Sequence, residues 1–306
     1  MTSPAARSGA GAIATLAALA LAWGCNWPAM KLVFAEFPVW WFRGFSGTAA
    51  GLAVLGIAAW RQGRILPRAP GSWRWLAVAG LLNVTIWQVA TGYGVQLLGS
   101  GHAAVLAFTM PLWAGLIAWL AMGERVDARF GLALAMGMAG VALLSFRGGG
   151  FAAADLPGMG LMFAAAIGWA LGTIHAKRGR PDLPMLATTG WQIVLGSLPI
   201  VALWPLVEPM RWPEASLGAW GAGAYVTAIA LIVGYVCWFR LVEILPAHVA
   251  SLSTLAVPAT AMASSALLLG EPLGPRELAA LALMLGALAI VLLLPALLQR
   301  RRIAPD

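Results

Sequence analysis

The chain has 306 residues, of which 61% are hydrophobic and only 10% charged, and it carries a formal charge of +8. Ordinary soluble domains are about a quarter charged, so this composition excludes a soluble enzyme or binding module and requires a membrane protein. The basic residues sit at the ends of apolar runs and never gather on a polar domain, so the charge speaks to topology and not to nucleic acid.

A helix that crosses a bilayer needs about 20 apolar residues. Breaks at charges, glycine and proline divide the sequence into ten such runs, read here as spans over 12–34, 38–60, 74–98, 101–122, 129–146, 158–176, 184–207, 217–243, 247–269 and 276–298. The first is too long for the apolar core of a cleaved signal, so it reads as a spanning helix. In it, Trp23, Asn26, Trp27 and Met30 fall at i, i+3, i+4 and i+7 and share one face. The third span repeats the theme with Asn83, Trp87 and Thr91 every four residues, Gln88 beside them and Tyr93 beyond. The fourth carries Pro111 and Trp113, and the sixth places Trp169, Gly172 and Thr173 together. The seventh contributes Trp191, the eighth Tyr235 and the ninth Pro258, whereas the fifth and tenth are almost purely aliphatic.

Trp40, Trp41, Trp60, Trp73, Trp75, Trp119, Trp204, Trp212 and Trp220 lie near span ends, where an amphipathic ring suits the headgroup layer. Trp23, Trp27, Trp87, Trp113, Trp169 and Trp191 lie deeper and need another explanation. One is packing, with Asn26, Asn83 and Gln88 as hydrogen-bonding glue between helices. The other follows from the cost of an amide in hydrocarbon: several polar faces are best satisfied around one shared, hydrated cavity. That cavity would be lined by the first, third, fourth, sixth, eighth and ninth spans. Pro28, Pro111 and Pro258 each remove a backbone hydrogen bond within a span, leaving either a fixed kink or a hinge. Gly47 with Gly51, and Gly168 with Gly172, have spacings that permit close helix approach. Cys25 and Cys237 are isolated, so neither a disulfide framework nor a metal site is expected, and no cofactor motif occurs.

With a cytoplasmic N-terminus, 14 Lys and Arg residues fall inside and 5 outside, the latter being Lys31, Arg43, Arg147, Arg211 and Arg276. The positive-inside rule therefore places both termini in the cytoplasm, as an even number of spans requires. A repeat supports the count. Pro111, Gly123, Glu124 and Arg129 recur as Pro258, Gly270, Glu271 and Arg276, each 147 positions later, and Trp23 and Lys31 recur as Trp169 and Lys177 at 146. Five is odd, so the second half enters the membrane inverted, which gives an all-α protein of two five-helix repeats, 1–150 and 151–306, in one membrane domain.

Ten spans, inverted halves and the proline followed by Gly-Glu and arginine resemble the EamA type of the drug/metabolite transporter superfamily. The second-span WWFRGFSG with Arg43, and Trp191, Gln192 and Gly196 in the seventh, are similar to that family's patterns. Within it the chain most resembles the YddG-type amino-acid exporters. The resemblance implies a transporter of the inner cell membrane, working by alternating access, with no cofactor and a small metabolite as partner. Large neutral or aromatic amino acids suit rings and amides, and no Lys or Arg is expected at the midplane to hold a phosphate. No acidic residue lies at mid-span for obvious ion coupling. Drugs or other amphipathic compounds are the alternative, followed by phosphorylated sugars. An intramembrane enzyme is disfavoured because no HExxH, GxSxG or paired aspartates occur. A monomer would suffice, and no nucleic-acid partner is expected.

Overall fold

A computed structural model describes residues 4–107, 109–123, 128–145, 153–179, 181–246, 249–250, 254–257, 260–261, 263–264 and 274–290. Its regular elements are all helical: α1 (Pro4–Gly24), α2 (Asn26–Glu36), α3 (Val39–Gln62), α4 (Gly71–Gly80), α5 (Ile86–Ala107), α6 (Met110–Met122), α7 (Ala128–Ser145), α8 (Leu156–Arg178), α9 (Met185–Val207), α10 (Leu217–Tyr225), α11 (Gly234–Ile244) and α12 (Pro275–Leu288). A π-helical turn at Leu81–Thr85 joins α4 to α5, and a longer one at Val226–Val233 joins α10 to α11. A single 3-10 turn at Ala153–Asp155 precedes α8.

Among the described residues, six helices are long and apolar enough to cross a membrane: Gly11–Glu36, Val39–Gln62, Gly71–Leu98, Leu156–Arg178, Met185–Val207 and Leu217–Ile244. They coincide with the first, second, third, sixth, seventh and eighth runs. Shorter apolar helices at Met110–Ala121, Ala128–Gly140 and Leu278–Ala287 fall on the fourth, fifth and tenth. Most of the ninth run lies outside the described residues, and Pro258 with it.

The third and fourth runs differ from their sequence reading. A break is expected near Gly99–Gly101, but α5 continues through both glycines to Ala107, and the chain turns between Ala107 and Met110. Glycine weakens a helix by only about 1 kcal/mol, so packing can carry the helix across it. Pro111 accordingly occupies the first turn of α6, where its missing N–H costs no hydrogen bond, and is not a kink within a helix. At the first run the interruption is real. α1 stops at Gly24, Cys25 forms a turn, and Pro28 is the third residue of α2.

Helices occupying the same place in the two halves pack on one another. α3 lies along α9, with Gly47 against Ser197 and Gly51 against Val194. α7 lies along α12, where Gly140 meets the Ala280 carbonyl and Met284. The backbones of α4 and α9 also approach closely: a Cβ on Gly196 would lie 2.5 Å from the Gly80 carbonyl oxygen, so no larger residue fits without moving a helix.

Carboxylates repeat this cross-linking at the helix ends. Glu36, ending α2, accepts hydrogen bonds from the Ser216 amide (2.6 Å) and hydroxyl (2.8 Å) at the start of α10. Asp182, 146 positions later, accepts from the amides of Arg68 (3.0 Å) and Ala69 (3.4 Å) and from the Ser72 hydroxyl (3.0 Å) at the start of α4. In each case an acid at or just beyond the end of the first span of one half accepts from N–H groups just before the third span of the other.

Candidate functional site: a central aromatic cavity

Trp23 at the end of α1 and Asn26, Trp27 and Met30 of α2 all face one cavity, whose empty space, with the part open to solvent, is about 610 Å³. Trp87, Gln88 and Thr91 of α5 line the same space, with Met110, Trp169 and Tyr235. Val226, Ala230 and Leu231 from the second π-helical turn, and Thr254 and Val257, complete the wall. Met110 and Val257 are 147 positions apart, so the repeat is visible in the lining itself.

The two π-helical turns explain how the aromatics are held. A π turn widens the helix and offsets its carbonyls from the usual donors. The indole of Trp23 donates to the Ala230 carbonyl at 2.9 Å, and the Tyr235 hydroxyl donates to the Asn83 carbonyl at 3.0 Å. Each π turn thus anchors an aromatic contributed by the opposite half. The rings then pack together. Trp23 and Trp169, the repeat equivalents, meet edge to face with centroids 5.4 Å apart, and Trp87 lies 4.7 Å from Trp169. Tyr235 and Trp238 contact both Trp23 and Trp169. Edge-to-face pairs stabilise by about 1 kcal/mol each beyond burial, so the cluster is rigid.

Arg43 is the electrostatic centre. It is 2% exposed, its Nη2 donates to Thr91 Oγ1 at 3.3 Å and lies 3.0 Å from Met30 Sδ, and its guanidinium sits 4.9 Å over the Phe34 ring. Among the described residues, no Asp or Glu lines the cavity. Four lining residues also carry a buried polar atom without a protein partner: Arg43 Nε, Asn26 Oδ1, Gln88 Nε2 and the Trp169 indole nitrogen. A buried, half-satisfied guanidinium is costly unless something anionic or hydrated completes its hydrogen bonds.

Seven of the expected site residues therefore meet at the cavity: Trp23, Asn26, Trp27, Trp87, Gln88, Trp169 and Tyr235. Five do not line it. Asn83 is fully buried beside Gly172, with neither end of its side-chain amide paired. Thr173 donates to the Trp169 carbonyl at 3.0 Å. Tyr93, like Trp40 and Trp204, packs against the adjoining apolar cluster that includes Met30, Phe34, Trp41 and Phe42. Trp113 donates to Thr109 Oγ1 at 3.3 Å, and Trp191 donates to the Ile65 carbonyl at 2.6 Å in the α3–α4 loop and packs on Trp73. Thr173 and Trp113 find partners one turn back on their own helices, and Trp191 finds one in a loop that helical spacing does not reveal.

The largest correction is Arg43. Its place five residues into the second run suggests an external end, yet it is buried and lines the cavity, so the expectation of no Lys or Arg there fails. The signal was present. Arg43, Ser46, Gly47, Ala50 and Val54 recur every three to four residues as a stripe of otherwise small or apolar residues, and all are buried. An arginine on the buried stripe of an apolar helix must itself be buried. Its second-span helix thereby joins the expected lining, while α7 and α12 contribute nothing to it.

The EamA-like transporter family model matches this chain twice, over residues 10–146 and 156–293. The uncharacterized transporter YvbV of Bacillus subtilis is 27% identical over 279 residues, covering 90% of each chain. Protein PecM of Dickeya dadantii is 28% identical over 249 residues, covering 79% of this chain and 81% of its own. A solved crystal structure superposes with a TM-score of 0.79 across 93% of this chain and 99% of that one, and at 21% identity it speaks to the fold alone. Matched in both halves and built of membrane-spanning helices, the chain belongs to the EamA-like transporter family.

Proposed function

We propose that this transporter moves small amphipathic carboxylates, foremost aromatic and other large neutral amino acids, outward across the inner cell membrane by alternating access, in the manner of the YddG-type exporters. Ten spans in two inverted halves, with both termini in the cytoplasm, form its frame. Arg43 carries the reading: a buried guanidinium with an unpaired Nε faces a cavity with no acidic residue among its described lining. A carboxylate completes its hydrogen bonds in the fork geometry guanidinium favours. The unpaired Asn26 Oδ1 is an acceptor suited to an ammonium group, and Trp23, Trp87 and Trp169 offer ring faces and edges to an apolar side chain.

The same cation disfavours the runner-up, a carrier of cationic drugs, because desolvating a second positive charge beside Arg43 is unfavourable. A phosphorylated sugar would call for more basic residues than this one. Counterflow of labelled phenylalanine into proteoliposomes containing only this protein tests the proposal. Accumulation driven by trapped unlabelled phenylalanine supports it. Counterflow of a cationic amine with none of phenylalanine would replace it with the runner-up.

A further inference from the structure

Beyond the aromatic cluster lies a second cavity, of about 470 Å³ empty space with the part open to solvent, whose lining includes Trp75, Thr188, Thr189, Gln192, Phe239 and Glu243. Its position follows from the helices the two cavities share. Along α8 the wall passes from Trp169 to Ala176, and along α11 from Tyr235 to Val242, which at 1.5 Å per residue is about 10 Å along each axis. Phe239 packs on Tyr235 with centroids 6.0 Å apart, and Trp238 is fully buried against Trp169. Aromatic rings thus stand between the two spaces.

The polar groups here are of the opposite kind. Among the described residues no Lys or Arg lines this cavity, and the charged group that does is the Glu243 carboxylate, which pairs with Arg240 at 2.6 Å. Gln192 is 1% exposed, and its side-chain oxygen has no partner. The Thr189 hydroxyl already donates to the Met185 carbonyl at 2.9 Å, so only its lone pairs remain for a ligand. Phe239 and Trp75 add aromatic surface, one face of Trp75 being stacked on His175. A buried acceptor with nothing to accept from calls for a donor, and a carboxylate with aromatic walls favours a cationic one. The unpaired indole N–H of Trp75 leaves room for an acceptor on the same ligand.

We propose that this cavity is a second binding site, built around Gln192 and Glu243, for the primary ammonium end of a small apolar or aromatic compound. An amino acid held here by its ammonium would be exchanged, across the aromatic cluster, with the central cavity that holds its carboxylate. The choice of apolar body rests on the transport reading above, whereas the acceptor set stands without it.

Equilibrium binding to the full chain in lipid nanodiscs, with labelled phenethylamine and labelled 3-phenylpropionate, tests the two cavities separately. Loss of a hydrogen bond to a charged group weakens binding by at least about tenfold. Gln192→Leu and Glu243→Gln are expected to weaken phenethylamine by that factor. They should leave 3-phenylpropionate unchanged, which also shows that the variants are folded. Absence of phenethylamine binding to the wild type, or binding indifferent to both substitutions, overturns the second site while the central one stands. If 3-phenylpropionate fails to bind the wild type, the central reading fails, and the response of phenethylamine to Gln192→Leu, in protein monodisperse by size exclusion, still decides the second.

Discussion

Arg43 and Gly172 illustrate two different demands on single positions. Arg43 sits in an apolar helix against a desolvation cost, beside three cavity residues with unpaired polar atoms, Asn26, Gln88 and Trp169. Arg43→Gln should reduce phenylalanine counterflow at least about tenfold, since a charge-assisted pair is replaced by a neutral hydrogen bond. Yield of monodisperse protein should fall far less, and an equal fall in both would make Arg43 a packing residue. Gly172 answers to sterics alone. A Cβ there would lie 2.2 Å from Asn83 Oδ1, at a side chain buried in the π-helical turn beneath Tyr235. Gly172→Ala should therefore destabilise the protein by about 1–3 kcal/mol, read as a lowered Tm in detergent. An unchanged Tm would mean that Asn83 turns aside freely.

At the scale of elements, the crossing of α4 with α9 differs from that of α5 with α8. A Cβ at Gly196 meets the Gly80 backbone, which cannot move without its helix, whereas one at Gly94 meets the flexible end of Met162. Gly196→Ala is expected to lower Tm well beyond Gly94→Ala, and the reverse order would contradict the packing described. The Asp182 cap carries a pH dependence. The amide of Arg68, more than any other group, holds its carboxyl below the ordinary carboxylate range, against the opposing effect of desolvation, with help from Ser72, Ala69 and Arg64. The folded-state value lies below that of the unfolded chain, so the cap stabilises the fold above the ordinary carboxylate range and is lost as pH falls through the depressed value. The Tm difference between wild type and Asp182→Asn should accordingly be constant near neutrality and close on acidification. A difference independent of pH would assign the effect to shape and not charge. The apolar runs made the six long helices legible, because length and hydropathy alone decide what can span. The π turns and the passage of α5 through Gly99 and Gly101 were not, since both are imposed by packing between helices that no local spacing records.

For the whole molecule, the offsets of 146 and 147 were readable as a repeat, and the contacts give it physical content. Trp23 meets Trp169, α3 lies along α9, α7 along α12, and Glu36 and Asp182 cap reciprocal helices. The aromatic part of the cavity was legible for the same reason: Trp23, Trp27, Trp87 and Trp169 are too deep for a headgroup layer and too many to serve one packing contact. Arg43 was missed because nearness to a helix end was weighed above the stripe of small residues on which it lies. Trp113 and Trp191 were overcounted because a carbonyl or hydroxyl within reach satisfies an indole without any cavity. Arg43 and the rings around it are the proposed place of substrate binding. Equilibrium binding of labelled phenylalanine to the purified protein tests it most directly, using Arg43→Gln, Trp169→Ala and, as a control on the lipid-facing surface, Trp60→Ala, whose side chain is 82% exposed. The account predicts binding weakened at least about tenfold in the first two and unchanged in the third. Binding that survives both Arg43→Gln and Trp169→Ala at wild-type strength would contradict it.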